Sequence, residues 1–388
     1  MASLRLFFSV GDHSGDQHAA NLMRELQKLD PDVQLEGLGG DSMAQAGCQL
    51  LYPLCDLAIM GFRRVLTNLH KFARIRNLAA RHLDEHRPDA VVLIDYGGFN
   101  LRMAKLAHQR GIPVFYFIAP QMWAWRSWRV KTVQRYVDHV FSTLPFEMQW
   151  YQERNVSASF VGHPYFDELH QKQLDQAFLA QQRQLPGTVL GILPGSRFGE
   201  LTRNTELLFA TAERIHQQRP EARFLIPCLK EEHAQFVRER LQAWGNPKKI
   251  PLEIHVGKTS EIIELAHSCV SVSGSVSLEM LYRTTPTVIC YKANVMLEIL
   301  AALLKNCRFI TLVNLMEDRL LFPEHYGTKV TPELLSGHVL EWMSNPQVHQ
   351  QLRAELEQLK ARVAKPGACR RVAQSIFSTL KGEQSQAA

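Results

Sequence analysis

Short apolar runs alternate with longer stretches of mixed polarity along most of the chain. In the first half these runs occupy residues 4–10, 33–38, 89–95, 113–118 and 139–143. In the second half they occupy residues 188–193, 223–227, 252–256, 269–272 and 287–291. Short apolar runs of this kind are typical of strands buried on both faces of a parallel sheet, and the stretches between them suit helices. The pattern predicts an α/β protein with doubly wound sheets.

The alternation is interrupted between residues 166 and 187, where Gln, Asp and Lys are frequent and the sequence Leu185-Pro186-Gly187 follows. A chain of 388 residues is also longer than one typical domain. We therefore predict two Rossmann-like domains that face a central cleft. The predicted segments are an N-terminal acceptor-side domain at 1–170, a linker at 171–186, a C-terminal nucleotide-sugar domain at 187–350, and a helical tail at 351–388 that is a candidate to pack back on the first domain.

Composition narrows the class of protein. Hydrophobic residues make up 46% of the chain and charged residues 21%, which is typical of a globular protein, and no apolar run reaches the roughly 20 residues that a membrane-spanning helix needs. The seven cysteines form no Cys-x-x-Cys pair, so we expect a cytoplasmic protein without structural zinc. A net charge of +6 permits anionic ligands or an anionic membrane surface, but it is not the strong basic stripe of a nucleic-acid binder. The apolar start of the chain is interpreted as a core strand, not as a signal peptide.

Polar side chains follow two of the first-half strands. The turn after the first strand contains Asp12, Ser14, Gly15 and Asp16, a set that suits sugar hydroxyls or a cation better than a pyrophosphate. Asp95 ends an otherwise apolar strand, where a carboxylate is costly unless it lies at an opening or is paired. We predict that Asp95 is a general base; the alternative is an N-cap of the next helix.

Three of the six tryptophans lie close together in Met122–Arg129, beside two arginines. Trp125 could stack on a sugar face and Arg126 could hold a phosphate, although a strand-to-helix corner anchored by tryptophans is an equally good interpretation.

In the second half, Pro194-Gly195 ends an apolar run, and we predict Ser196 as the N-cap of the following helix. Backbone N–H groups there, together with Arg197, would bind phosphate. The stretch Ser273–Glu279 repeats this arrangement, with Glu279 one turn into the helix. The alternative for both stretches is an ordinary strand–turn–helix junction. Asn314 and Glu324 are expected in a loop region near the same site.

The predicted helix at 61–82 carries apolar residues at roughly helical spacing with six Lys and Arg residues between them. Two interpretations remain open: an amphipathic helix that packs on the sheet with a solvated basic face, and a helix that contacts an anionic membrane surface.

Taken in order, these motifs resemble the lipid-A-disaccharide synthase family, inverting glycosyltransferases of the GT-B class. The matching stretches run from the first strand to Glu324. They are Ser14–Asp16, Gly39-Gly40, Ala58–Phe62, Ile94-Asp95 with Phe99-Asn100, Pro120 with Trp123–Arg126, Leu144–Glu147, Val161–Pro164, Leu193–Arg197 with Glu200, Ser273-Gly274 with Leu278-Glu279, and Asn314-Leu315 with Pro323-Glu324.

The resemblance implies a reaction between UDP-2,3-diacylglucosamine and 2,3-diacylglucosamine 1-phosphate that gives the β-1,6-linked disaccharide precursor of lipid A and UDP. It implies a catalytic role for Asp95 as the base, for Arg197 at the leaving diphosphate, and for Asp12. No metal or other cofactor is implied, and peripheral association with the inner membrane through helix 61–82 is expected. The residues that it places at the substrates are Ser14, Gly15, Asp16, Met60, Gly61, Trp125, Arg126, Ser196, Glu200, Ser273, Gly274, Ser275, Glu279, Asn314 and Glu324.

The chain departs from the family pattern mainly on the acceptor side. Asp12 replaces a glutamate, Gly97 and Gly98 stand where Pro-Asp is usual, and His325 begins a segment that is normally leucine-rich. Arg63-Arg64 replaces a pair that is normally apolar and acidic. Two alternatives therefore stay open: another GT-B enzyme of UDP-sugars, including an epimerase, and a UDP-sugar-binding protein without catalysis. Oligomeric state and acyl-chain length are not predicted.

Overall fold

The computed structural model describes residues 3–58, 69–246, 248–293 and 307–386. Contacts divide the chain into two compact units. The first unit comprises Met1–Asp167 and Lys365–Ala388, and the second comprises Glu168–Ala364. Each unit is built on its own parallel sheet.

The first sheet has seven parallel strands within the described residues, in the order β3-β2-β1-β4-β5-β6-β7. Their bounds are β1 Arg5–Val10, β2 Gln34–Leu38, β3 Gln49–Tyr52, β4 Ala90–Ile94, β5 Val114–Phe117, β6 His139–Ser142 and β7 Ala158–Phe160. The helices are α1 His13–Leu29, α2 Asp41–Gln45, α3 Cys55–Ala58, α4 Leu69–His86, α5 Gly97–His108, α6 Val130–Tyr136, α7 Pro145–Gln152 and α8 Pro164–Gln171, with a short 3-10 helix at Ser127–Arg129.

The two faces of the first sheet have separate cores. One face is covered by α4, α5 and α6, whose buried residues include Phe72, Ile75, Met103 and Val133. The other face is covered by α1 and by the last described helix, α17 Ala368–Gln386. Alternate side chains of each strand point to opposite faces, so the apolar runs of β1 and β4 supply both cores.

The second sheet has six parallel strands within the part of the chain that is described, in the order β10-β9-β8-β11-β12-β13. Their bounds are β8 Thr188–Leu193, β9 Ala222–Cys228, β10 Leu252–Val256, β11 Ser268–Val272, β12 Thr287–Lys292 and β13 Glu324–Gly327. The helices are α9 Gln176–Gln184, α10 Phe198–Gln218, α11 Glu231–Trp244, α12 Thr259–Leu265, α13 Val276–Tyr282, α14 Leu312–Glu317, α15 Pro332–Ser344 and α16 Pro346–Val363.

Residues 171–186, the predicted linker, include α9, which belongs to the second unit. Asp175 caps this helix and is also paired with Lys258, while Gln182 accepts a hydrogen bond from Arg223. Of the predicted tail, residues up to 364 lie in the second unit and α17 lies in the first, where it packs against α1.

The apolar runs located ten strands, and the structure adds three more: β3, β7 and β13. All three lie at an edge of their sheet. An edge strand is covered less completely than a central one, so its sequence does not need to be apolar throughout. Among the described residues, no helix combines the length and the apolar character needed to cross a bilayer.

Candidate active site

Asp95 lies at the carboxyl end of β4 in a left-handed backbone conformation. Its φ is 45°, and the φ of Tyr96 is 47°. Such conformations each cost roughly 1–3 kcal/mol in residues other than glycine and persist only where the surroundings impose them. Here Asn100 Nδ2 donates to the Asp95 carbonyl oxygen at 2.8 Å, and the Tyr116 hydroxyl donates to the same oxygen at 2.7 Å. The chain therefore turns sharply from β4 into α5 and places Asp95 at the carboxyl end of the strand.

Burial and a neighbouring charge make the Asp95 carboxylate basic. Burial and, to a smaller extent, the negative charge of Asp12 together raise the pKa of Asp95 to about 6, while one hydrogen bond from the Tyr96 N–H opposes the change. Burial also raises the pKa of Asp12 above its ordinary value. A carboxylate with a pKa near 6 is ionised at neutral pH and is a better proton acceptor than an ordinary aspartate. Tyr96, not Asp95, occupies the N-cap position of α5, so the N-cap alternative for Asp95 is wrong.

Asp12 is the N-cap of α1, and its Oδ1 accepts the Gly15 N–H at 3.2 Å. Ser14 is exposed in the first turn of that helix. Asp16 is buried, and its carboxylate accepts the N–H groups of Gly40, Ser42 and Met43 at 2.8–3.2 Å. Asp16 therefore fixes the start of α2 beside this turn.

Two glycines near Asp95 are in close contact with neighbouring side chains. The Tyr96 ring lies directly on Gly11, where an added Cβ would be 2.1 Å from Tyr96 Cδ1. A Cβ at Gly97 would be 2.2 Å from Pro120 Cγ, and the Gly97 carbonyl accepts a hydrogen bond from Arg129 Nη2 at 2.8 Å. The glycine at position 97 therefore lets the loop after β5 approach the start of α5 closely, whereas a Cβ at Gly98 would meet nothing within 4 Å.

The tryptophan-rich loop follows β5 and divides into a buried and an exposed part. Trp123 is buried, contacts Phe146 edge-to-face and donates to Glu147 Oε1 at 3.1 Å. Burial raises the pKa of Glu147 to about 7. Trp125 is 49% exposed, with the Arg126 guanidinium 4.7 Å from its ring centroid. Trp123 thus fits the structural interpretation of the loop, and Trp125 with Arg126 stays available for a ligand.

In the second unit, Arg197 and Glu200 form the turn that leads from β8 into α10. The N-cap is Arg197, so the prediction of Ser196 as the N-cap is wrong by one residue. Glu200 Oε2 accepts the N–H groups of Ser196 at 3.0 Å and of Arg197 at 3.3 Å, and its Oε1 is 3.3 Å from Arg197 Nη1. Two backbone donors at this helix start, including the Ser196 N–H that the sequence offered to phosphate, are therefore bound by Glu200. The Arg197 side chain remains 83% exposed.

The turn after β11 differs from the turn after β8 because its backbone is exposed. Gly274 and Ser275 are exposed, and Ser273 Oγ lies 3.5 Å from the Ile310 carbonyl oxygen. Glu279 is buried in α13, where its Oε1 accepts from Arg283 Nε at 3.1 Å. The small residues here leave the backbone accessible, whereas the carboxylate of Glu279 is held by an ion pair.

The sequence predicted Asn314 and Glu324 in a loop region, and this prediction is wrong. Asn314 lies in α14 and Glu324 is the first residue of β13, and the two side chains are 2.7 Å apart. Glu324 also accepts the N–H groups of Ile310 and Thr311 at 2.8 Å, and Asn314 Oδ1 accepts two more N–H groups at 2.9 Å. Their hydrogen bonds close the segment 310–324, so both side chains shape the site through the backbone.

Met60, Gly61 and the first part of the predicted helix 61–82 lie outside the described residues. Within the described ranges, no three His, Cys, Asp or Glu side chains are grouped as metal ligands. Sequence reasoning gave no role to Asn100 or Tyr116, which hold Asp95 in place. Asn100 stands in one of the family-like stretches, which was the available signal.

The model of the family described as lipid-A-disaccharide synthetase matches residues 6–376 of this chain. A curated relative, the lipid-A-disaccharide synthase of Trichlorobacter lovleyi, is 32% identical over 97% of this chain and 98% of its own length.

Solved structures establish the fold. The UDP-GlcNAc 2-epimerase of Neisseria meningitidis, solved with UDP-GlcNAc, aligns with a TM-score of 0.62 at 14% identity, covering 97% of this chain and 100% of the other. The calicheamicin glycosyltransferase CalG4 aligns with a TM-score of 0.62 at 14% identity, covering 98% and 99%. The predicted fold class, GT-B with two Rossmann-like domains, is confirmed. On the family match and the full-length relatives, the chain belongs to the lipid-A-disaccharide synthetase family and is a glycosyltransferase of lipid A biosynthesis.

Proposed function

We propose that this glycosyltransferase transfers diacylglucosamine from UDP-2,3-diacylglucosamine to the 6-hydroxyl of 2,3-diacylglucosamine 1-phosphate. Asp95 takes the proton of that hydroxyl as its oxygen bonds to the anomeric carbon of the donor. The bond from that carbon to the diphosphate breaks on the opposite face, and UDP leaves. The observation that carries this proposal is the Asp95 carboxylate, presented at the sheet edge by a strained turn and with a pKa of about 6.

The second unit binds the UDP in this proposal. Arg197 supports the role because its guanidinium is exposed and can form two hydrogen bonds with a diphosphate. The exposed backbone at Gly274 and Ser275 would contribute N–H donors. Charge on the leaving group is then neutralised by protein groups, so the reaction proceeds without a metal or another cofactor.

Trp125 and Arg126 belong to the acceptor side in this proposal. An indole ring can stack on the sugar, and the guanidinium beside it can bind the 1-phosphate. Because both substrates carry acyl chains, the protein would work as a peripheral enzyme on the cytoplasmic side of the inner membrane. Arg74, Arg76 and Arg81 on the described part of helix 61–82 are exposed, which supports contact with anionic lipid.

Incubating the purified protein with both acylated substrates tests the proposal. Formation of disaccharide and UDP in equal amounts is expected. Tight UDP binding without disaccharide would contradict it and would favour a different acceptor or a protein without catalysis. Release of free UDP without the disaccharide would point to a different acceptor, water included.

A further inference from the structure

The tryptophan-rich loop after β5, residues 118–129, contains two residues in a strained conformation. Ile118 has a φ of 55° and Arg126 has a φ of 56°. The left-handed region is unusual for residues other than glycine, and it is most costly for a β-branched residue such as isoleucine. Strain of this kind persists only where the surroundings impose it, and it is concentrated at functional sites. The rest of the first unit must therefore hold this loop in its conformation.

Hydrogen bonds fix the two ends of the loop. Near its start, the Pro120 carbonyl oxygen accepts from the Tyr151 hydroxyl at 3.3 Å. At its end, Arg129 Nη2 donates to the Gly97 carbonyl oxygen at 2.8 Å. Residues 121–128 lie between these two hydrogen bonds. A segment of that length has many conformations open to it unless its middle is held as well.

Glu147 holds the middle of the loop through Trp123. Trp123 is buried, and its Nε1 donates to Glu147 Oε1 at 3.1 Å. Trp125 and Arg126 follow two and three residues later, both are exposed, and the Arg126 guanidinium lies 4.7 Å from the centroid of the Trp125 ring. The bond between Glu147 and Trp123 therefore fixes the point from which this exposed pair extends.

Glu147 is a costly residue for a purely structural role. Its side chain is buried, and burial raises its pKa to about 7, although hydrogen bonds from Trp123, from Ser142 and from the backbone of Thr143 and Leu144 lower it. A buried carboxyl group costs stability, and an apolar side chain of similar volume often serves a core at least as well. Stability alone therefore gives little reason for a glutamate here, whereas binding the Trp123 N–H gives a specific one.

We propose that Glu147 is a positioning residue for acceptor recognition: it holds Trp123 and thereby keeps Arg126, beside Trp125, where its guanidinium meets the 1-phosphate of the acceptor. The inference rests on the proposed function in one respect, which is the assignment of Trp125 and Arg126 to the acceptor. Glu147 acts on the substrate only through this loop, and the sequence analysis assigned it no role.

Binding of two acceptors tests the positioning role. Short-chain, water-soluble 2,3-diacylglucosamine is used with and without its 1-phosphate, and calorimetry measures both affinities in the presence of UDP. The wild type should prefer the phosphorylated acceptor by about 10- to 100-fold, the contribution of a charge-assisted contact. Glu147→Met keeps a side chain of similar size but loses the oxygen that accepts the Trp123 N–H. It should lower this preference by about fivefold or more, and it should change the affinity for the acceptor without phosphate by less than about threefold.

Two further variants separate positioning from folding. Glu147→Gln should keep most of the preference, because its amide oxygen can accept the Trp123 N–H and its amide nitrogen can donate to Ser142 Oγ. The matched control is Glu36→Met. Glu36 is also buried and is paired with Arg5 at 3.0 Å, but it lies on β2, which β1 and β4 separate from β5. This control should leave the phosphate preference unchanged; a loss as large as that of Glu147→Met would be a general effect of a weakened fold and would overturn the proposal.

Trp123→Phe tests the same contact from the other side, and it gives the answer if Glu147→Met does not fold. The variant keeps an aromatic ring against Phe146 but loses the N–H. It should lower the phosphate preference as Glu147→Met does, and the double variant should lose little more, because both changes remove one interaction. Phosphate preference at the wild-type level in Trp123→Phe would contradict the positioning role.

Failure of the positioning role and failure of the proposed reaction are distinguishable, because acceptor binding needs no turnover. A phosphate preference that depends on Glu147, without any disaccharide, would support the positioning role and reject the reaction. Disaccharide formed without a phosphate preference, or with one that persists in Glu147→Met, would support the reaction and reject the positioning role. Where disaccharide is formed, Glu147→Met should raise the KM of the acceptor and change kcat little, since the 1-phosphate is remote from the reacting 6-hydroxyl.

Discussion

At the carboxyl ends of the strands, Asp95 of the first unit is held differently from the polar side chains of the second unit. In the first unit, the Asp95 carboxylate accepts one hydrogen bond, lies in a strained turn and has a pKa raised to about 6. In the second unit, Glu200, Asn314 and Glu324 are bound to backbone N–H groups of their own loops. In the proposed reaction, the raised pKa of Asp95 makes its carboxylate suited to accept a proton. In the second unit, the carboxylates of Glu200 and Glu324 hold backbone N–H groups, and the proposal assigns Arg197 and the nearby exposed backbone to the UDP.

The largest effect is expected at Asp95. Asp95→Asn should reduce turnover by about 10²- to 10⁴-fold, the contribution of a general base, and leave UDP affinity unchanged. Asparagine also tolerates the left-handed conformation and can still accept the Tyr96 N–H, so the turn should persist. Steady-state kinetics gives the turnover, and calorimetry gives the UDP affinity. Full turnover in this variant would show that Asp95 is not the base and that the two units do not differ in this way.

Arg197 tests whether the second unit binds the diphosphate of UDP. Arg197→Ala should weaken UDP binding by about 10- to 100-fold, because it removes a charge-assisted contact to the diphosphate. Arg203→Ala, which removes an exposed arginine six residues further along the chain in α10, is the matched control and should bind UDP normally. If both variants bind UDP as tightly as the wild type, the diphosphate lies elsewhere.

Asn314 tests whether the polar side chains of the second unit stabilise the fold through their hydrogen bonds to backbone N–H groups. Asn314→Ala should destabilise the protein by about 2 kcal/mol, because the buried N–H groups of Leu321 and Phe322 lose their acceptor. The measurement is the denaturant midpoint, with Gln351→Ala at the surface as the control. An unchanged midpoint combined with a large loss of UDP affinity would instead make Asn314 a direct ligand.

Asp12 tests whether a neighbouring negative charge contributes to the raised pKa of Asp95. The proposed base must be ionised, so kcat/KM should fall as the pH drops through about 6. The charge of Asp12 raises the pKa of Asp95, and removing it lowers that pKa. Asp12→Asn should therefore move the acid limb of the profile to lower pH, by less than one unit. Asparagine remains a good N-cap for α1, so stability should change little. An acid limb that moves to higher pH would contradict this electrostatic coupling.

The sequence predicted the central strands well because burial on both faces leaves a continuous apolar run. It did not predict β3, β7 and β13, since an edge strand does not need to be apolar throughout. The positions of the candidate site were also predictable, because strand ends and helix starts are local features. Their roles were not: Asp16 binds the start of α2, 24 residues away at Gly40, and no local pattern shows such a partner.

Glu200 is an intermediate case. A glutamate three residues after the N-cap is a recognised local signal for capping, and it was present in the sequence. Because Ser196 was predicted as the N-cap, Glu200 stood four residues after it instead of three, and the signal was missed. The left-handed turn at Asp95 had no such signal, because it is imposed by Asn100 and by Tyr116 from the neighbouring strand.

The first unit is not contiguous along the chain, and this affects how it can form during synthesis. Asp167 accepts the N–H of Gly367 at 2.5 Å, and Val372, Ala373 and Ile376 of α17 complete the core beside α1. The ribosome therefore makes the whole second unit before the first can close. Until then the apolar side of α1 lacks its cover, and the nascent first unit is expected to depend on chaperones while the second folds unaided.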